Sequence, residues 1–131
     1  MSKKISIAID AMGGDNSPNK TIQGISFFIK KYKNNNDYLI NIFGNEKKII
    51  ELLKKYNCVS ESINIINTNS VVSSDESPLT AIKNSKNSSM WNSINSQISD
   101  GADISLSAGN TGVLLVISRM LLKTIEEVSK P

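Results

Sequence analysis

The chain has 131 residues, one cysteine, no histidine and a formal net charge of +3 from 15 basic and 12 acidic side chains. That length holds one domain with a sizeable core, and the absence of histidine rules out a Ser-His-Asp or Cys-His catalytic group and an imidazole metal site built from this chain. The charge is mild and dispersed, with no basic block interleaved with aromatics, so no nucleic-acid footprint is visible and no nucleic-acid partner is expected.

In chain order, Met1-Ser2-Lys3-Lys4 leads directly into the alternating, isoleucine-rich stretch Lys4 to Asp10, which predicts a strand with no apolar signal core before it. A cytoplasmic location is expected. Ala11 to Asn19 carries two glycines, Asx residues and Pro18 and is predicted to be a loop. Lys20 to Tyr32 places Ile22, Ile25 and Ile29 on one helical face, and Lys30, Lys31 and Lys33 cluster where the helix dipole favours cations. A solvated connector, Asn34 to Asp37, leads to a second strand, Tyr38 to Phe43. Glu46 to Tyr56 is then predicted as a helix burying Ile49, Ile50, Leu52 and Leu53. Cys58 follows; with no partner cysteine and no histidine to activate it, it reads as a structural residue.

Ile63 to Ile66 reads as a third short strand and Thr68 to Ser77 as a polar loop, after which Pro78 suits the first turn of a helix. Met90 to Ile98 is a further helical stretch, and Ala102 to Leu106 a fourth strand ending in the turn Ser107 to Thr111. Gly112 to Ile125 is apolar on nearly all sides and is expected to be a buried helix. Its uninterrupted apolar run, Val113 to Ile117, is far too short to cross a bilayer. The alternation of strand, loop and helix predicts an α/β fold: a parallel sheet with right-handed crossovers and helices on both faces. A further strand is expected where the chain stops at Lys130-Pro131, so the domain is read as truncated there.

Neither GxGxxG nor GxxxxGK[ST] is present, so nicotinamide and P-loop readings have no support. Two glycine-rich turns do follow predicted strands, at the sheet end where open parallel sheets hold their ligands. In Asp10 to Pro18, Gly13 and Gly14 allow positive φ and close approach of a ligand, and the next helix offers unpaired amides; a plain strand-to-helix turn explains the same residues. In Ser107 to Gly112, consecutive amides with Ser107, Asn110 and Thr111 can cradle a phosphate, while Asn110 or Thr111 can equally serve as a helix cap. Between them, Lys83 and Lys86 are three apart and would share a helix face, either holding an anion or simply solvated.

Read together, these segments resemble one family. IAIDAMGGD with Asn16 and Pro18 is similar to the opening signature of the PlsX phosphate acyltransferases, SPLTAIKNSKNSSM to their second characteristic segment, and SLSAGNTGVLL to their third. Order and spacing fit, and the likeness runs through all 131 residues. The resemblance implies a three-layer α/β/α Rossmann-like sheet, related to the isocitrate and isopropylmalate dehydrogenases and to phosphotransacetylases. This chain would form the N-terminal part, residues 1–131, of one acyltransferase domain whose C-terminal part is absent. The implied reaction moves a fatty acyl group from acyl carrier protein to inorganic phosphate, giving acyl phosphate for phospholipid synthesis. A homodimer is implied for the complete protein, as is a place at the inner face of the cell membrane reached through regions outside this chain.

No cofactor and no metal are expected, a metal-ligand role for Asp10 and Asp15 being the lesser alternative. Phosphate is itself the nucleophile, so no serine or cysteine nucleophile is required, and the site has only to hold a dianion and stabilise an oxyanion. Asn110, Ser107 and Lys86 are the expected catalytic groups. Gly13, Gly14, Asp15, Asn16, Ser88, Ser89, Gly109, Thr111 and Gly112 are expected to bind substrate or phosphate, with Asp10 and Asp75 orienting the loops. The chain departs from the family pattern at Asn84, Ser85, Asn87 and Trp91, where more basic residues and an aspartate are usual. The competing readings are a non-catalytic anion- or nucleotide-binding module of the same fold, a degraded remnant, and a phosphotransacetylase-like enzyme. The isolated fragment is expected to be inactive.

Overall fold

A computed structural model describes residues 3–129; the expected interruption at Lys130-Pro131 and the start at Met1-Ser2 lie outside the described residues. The isoleucine-rich alternation of the N-terminal segment forms β1 (Ile5–Asp10), flanked on one edge by β2 (Tyr38–Gly44) and on the other by β4 (Ile104–Ser107), with β3 (Ile63–Asn67) beyond β2. All three pairings are parallel and the order is β3-β2-β1-β4. The chain therefore winds outward from β1 through β2 to β3, then returns across the sheet to the far side of β1. With right-handed crossovers, that reversal puts the later helices on the opposite face from the earlier ones.

The packing agrees. On one face, Ile22, Ile25 and Ile29 of α1 (Asn19–Lys31) and Ile49 of α2 (Glu46–Lys55) bury against Ile40 and Ile42 of β2, with Cys58 in the same cluster. Ile22, Ile42 and Ile49 are completely buried, at about 1.5–3 kcal/mol each for removing such a side chain from water. On the other face, α4 (Ser89–Ser99) covers Ala8 and Phe43, while α3 (Pro78–Asn84) and α5 (Thr111–Leu122) pack on its outer side through Ala81, Met90, Ile94, Val113 and Ile117. A polar ladder crosses the sheet on the face that carries Ala8 and Phe43: Asn64 Nδ2 donates to Asn41 Oδ1 at 3.2 Å, and Asn41 Nδ2 to Ser6 Oγ at 3.1 Å.

Three expectations need correction. Ile50 is exposed, and α2 buries Ile49 while Leu52 and Leu53 are half-buried, because one face of a short helix over a twisted sheet reaches only every third or fourth residue. Lys83 and Lys86 do not share a helix face, since α3 ends at Asn84 and Lys86 lies in the connection to α4. Helix α5 is not enclosed: Val113 and Ile117 are buried, but Leu115 and Met120 are half exposed. Strand β4 is the sheet's edge, and Ile104 and Leu106 on it are likewise exposed. An all-round apolar helix is ordinarily covered on every side, and within the described residues only one side of α5 has a neighbour to pack against. No helix among the described residues is long and apolar enough to cross a membrane.

Candidate active site

In an open parallel sheet, ligands bind beyond the carboxyl ends of the strands where the winding direction reverses. Here that point lies between β1 and β4, whose last residues, Asp10 and Ser107, stand directly opposite each other in the register. Both glycine-rich turns leave from it.

The two turns are tied together at a buried carboxyl group. Asp10 is 2% exposed; its Oδ1 accepts from the amides of Met12 (3.1 Å) and Gly13 (3.2 Å), and its Oδ2 from Ser107 Oγ (2.8 Å). Ser107 Oγ in turn accepts from the Gly109 amide at 3.1 Å. A buried carboxyl group demands such partners, and these three donors hold both turns in fixed positions. The turns then touch backbone to backbone. A β-carbon on Gly13 would stand 2.6 Å from Asp10 Oδ2 and 2.9 Å from the Cα and N of Gly109, distances that no real side chain tolerates. Gly14 has φ +95° and its own β-carbon would lie 2.8 Å from the Ala108 carbonyl oxygen. From below, Met90 on α4 packs under Gly109.

Above this joint lies a cavity of about 370 Å³, walled by Gly14 and Asp15 of the first turn, Val72 and Ser74 of the loop after β3, and Ala108 to Gly112. The start of α5 faces it. Asn110 Oδ1 accepts from the Val113 amide (3.2 Å) and the Asn110 carbonyl from Leu114 (2.9 Å), which leaves the amides of Thr111 and Gly112 as the helix's orphan donors at the cavity wall. Orphan amides at a helix N-terminus carry partial positive charge and suit an anionic oxygen.

Several expected residues meet here: Asp10, Gly13, Gly14, Asp15, Ser107, Gly109, Asn110, Thr111 and Gly112 all belong to the joint or the cavity wall. Others stand apart. Asn16 lines a neighbouring groove, Lys86 is exposed in the α3–α4 connection, and Ser88 caps α4 through a bond from the Trp91 amide at 3.1 Å. Ser89 is fully buried beside it with its hydroxyl unpartnered among the described residues.

Two roles differ from expectation. Asn110 does not present a free amide to the cavity: besides capping α5, its Nδ2 donates to the carbonyls of Glu76 (2.8 Å), Ser73 (3.3 Å) and Ser74 (3.3 Å). It is the clamp that holds the loop after β3 over the site. Asp75 is exposed, and its side chain has no hydrogen-bond partner among the described residues, so loop orientation falls to Asn110. What sequence reading missed is the pairing itself: Asp10 and Ser107 lie 97 positions apart, and only the sheet order makes them neighbours.

The parallel sheet, with a reversal-point cavity bounded by two fused glycine-rich turns and a helix N-terminus, defines an α/β protein of Rossmann-like fold. The model of the family described as "Fatty acid synthesis protein" matches residues 5–131, and the chain belongs to that family. It is 47% identical over 131 residues to a phosphate acyltransferase of Pelagibacter ubique, covering 100% of this chain and 38% of that protein. It is 38% identical over 127 residues to a phosphate acyltransferase of Ehrlichia canis, covering 97% of this chain and 38% of the relative. It is 39% identical over 128 residues to one of Neisseria meningitidis, covering 97% and 35%. The chain thus spans little more than a third of the length of the curated relatives it matches.

Proposed function

We propose that this chain is the N-terminal part of an acyltransferase domain that moves a fatty acyl group from acyl carrier protein to inorganic phosphate. The observation that carries the reading is the Asp10–Ser107 joint at the reversal point, which brings two glycine-rich turns and the orphan amides of Thr111 and Gly112 to one cavity. The family membership and the relatives' name, phosphate acyltransferase, support it.

In this reading the amides of Thr111 and Gly112, together with the space left by Gly109 and Gly14, hold the phosphate or the developing oxyanion. Preorganised backbone donors serve well because they need no protonation and do not reorient during reaction. A phosphate oxygen forms the new bond to the thioester carbon, the carbon–sulfur bond breaks, and the carrier's thiol leaves. Asp10 and Ser107 position the turns without touching substrate, and Asn110 holds the 73–76 loop over the bound anion. Ser88 and Ser89 act through the α4 start, whose Met90 packs under Gly109, and Lys86 in the preceding connection serves as a charge partner. The exposed apolar residues of β4 and α5 are the surface that the remainder of a longer domain covers, in keeping with the relatives' greater length.

The test uses the full-length gene product with acyl-loaded carrier protein and phosphate, trapping acyl phosphate with hydroxylamine. Phosphate-dependent hydroxamate from the long-chain donor supports the reading. Turnover only with acetyl phosphate and coenzyme A, or none at all, contradicts it.

A further inference from the structure

Positive charge is unevenly placed in this chain. Residues 19–56, which form α1, β2 and α2, carry eight lysines against three acids, whereas the rest carries seven basic side chains against nine acidic ones. Part of that excess borders one recess. A groove of about 660 Å³ runs between the Asn16 to Lys20 segment and the outer row of α2, where Lys48, Glu51, Leu52 and Lys55 follow at helical spacing. Lys20, Lys48 and Lys55 rim it, Leu52 contributes an apolar wall, and Glu51 is its one acid. None of the three lysines is in an ion pair among the described residues, where the one salt bridge joins Lys3 and Asp103.

The start of α1 adds to the same field. This 13-residue helix has no side-chain cap and no acid in its first turn, so its positive dipole end at Asn19 and Lys20 opens on the groove uncompensated. Phe27 stands one turn beyond Gln23 on the same row of α1 and is 63% exposed, an aromatic anchor beside the basic rim. The groove also backs onto the site: Ser17 on its wall donates to the Gly13 carbonyl at 2.6 Å, so one loop has the groove on one side and the phosphate cavity on the other.

We infer that this groove docks an acidic protein surface, and that its occupant is the acyl carrier protein of the proposed reaction. The inference rests on that reading for the partner's identity. Charge complementarity selects the acidic face, and the shape favours a protein: a recess with an apolar wall and one aromatic beside it accepts a helix, whereas a bilayer meets a flat or convex basic patch. Electrostatic attraction of this kind steers encounter and fixes register, and it weakens as salt screens it.

Binding of acyl carrier protein to the full-length gene product, measured at low and at 300 mM salt, tests the proposal. Lys48→Glu with Lys55→Glu is expected to weaken binding by about tenfold or more and to flatten the salt dependence. Lys30→Glu with Lys31→Glu, the same charge change at the far end of α1, is expected to stay within about threefold of wild type. Phe27→Ser is expected to weaken binding at high salt as well, where non-specific attraction is screened. Equal loss in both lysine pairs, or loss in neither, overturns the inference. So does binding of the groove lysines to vesicles containing anionic phospholipid without binding of the carrier. Turnover of an acyl-pantetheine thioester, which lacks the carrier, separates the two levels. Acyl phosphate formed from it with carrier binding indifferent to Lys48 and Lys55 sinks the docking site alone, while no acyl phosphate from either donor sinks the reaction.

Discussion

Ser107→Ala removes a hydroxyl that makes two bonds at once, donating to Asp10 Oδ2 at 2.8 Å and accepting from the Gly109 amide at 3.1 Å. The first loss is the larger. Asp10 is 2% exposed, so its Oδ2 would be left with neither Ser107 nor bulk water. Breaking a hydrogen bond to a charged or potentially charged group costs about 1.5–3 kcal/mol, and more when the partner stays buried. The Gly109 amide is partly buried beside the cavity, where water can reach it, which limits its share to about 0.5–1 kcal/mol. Together the substitution is expected to destabilise the protein by about 2–4 kcal/mol. Asp10→Asn should be milder. It keeps an acceptor for Met12 and Gly13 and offers its amide to Ser107, which can turn to accept it. Denaturant unfolding of both single variants and the double variant measures this, provided the slope with denaturant stays constant. The double variant should lose less than the sum of the two, because both changes break the same bond. Loss below about 0.5 kcal/mol for Ser107→Ala, or strict additivity, would refute the claim that this bond joins the two turns.

Asn110→Ala removes both the α5 cap and the clamp on residues 73–76, so it should cost about 2–3 kcal/mol and speed proteolysis within that loop; unchanged stability with lost turnover would instead restore Asn110 as a direct donor to substrate. Lys86→Ala, at an exposed connection residue, should leave the melting temperature unchanged, and kinetic constants that also stay unchanged would remove Lys86 from the site. The carboxyl group of Asp103 should titrate below the usual carboxylate range, because the Ser6 amide donates to it and Lys3 lies beside it. A depressed folded-state value means that its contribution is present above the unfolded carboxylate range and fades as pH falls through the folded value, which a carboxyl-detected NMR titration would show; an ordinary value would contradict the bond from Ser6.

Much of this arrangement is legible in the sequence. Period-two isoleucine in β1, the row Ile22, Ile25 and Ile29 in α1, and Pro78 after Ser77 are local signals, and each element formed within a few residues of where its pattern places it. Both turns were also identifiable, since glycine pairs and Asx residues at strand ends have few other uses. What local pattern cannot carry is adjacency. Nothing near Asp10 announces Ser107, and nothing near Asn110 announces the carbonyls of Ser73 and Glu76, because both contacts depend on the strand order. The error at α5 has a related cause: apolar composition tells how much surface a helix must bury but not which part of a protein buries it. Ile50 is exposed for a geometric reason: the stripe of α2 that faces the sheet runs through Ile49, Leu52 and Leu53, and Ile50 falls outside it.

The central claim is that two glycine-rich turns joined by Asp10 and Ser107 form the place where phosphate attacks a carrier-borne acyl group. It is tested most directly by following isotopically labelled inorganic phosphate into hydroxylamine-trappable acyl phosphate, comparing the full-length wild type with Gly14→Ala. At Gly14 a β-carbon would meet the Ala108 carbonyl oxygen at 2.8 Å, in a backbone conformation with φ +95° that a side chain strains. The account predicts labelled product from wild type and a rate lower by about 10²–10³ in the variant, while the far-ultraviolet circular dichroism of the two proteins coincides. Labelled product at equal rates from both proteins, or none from wild type, would contradict it.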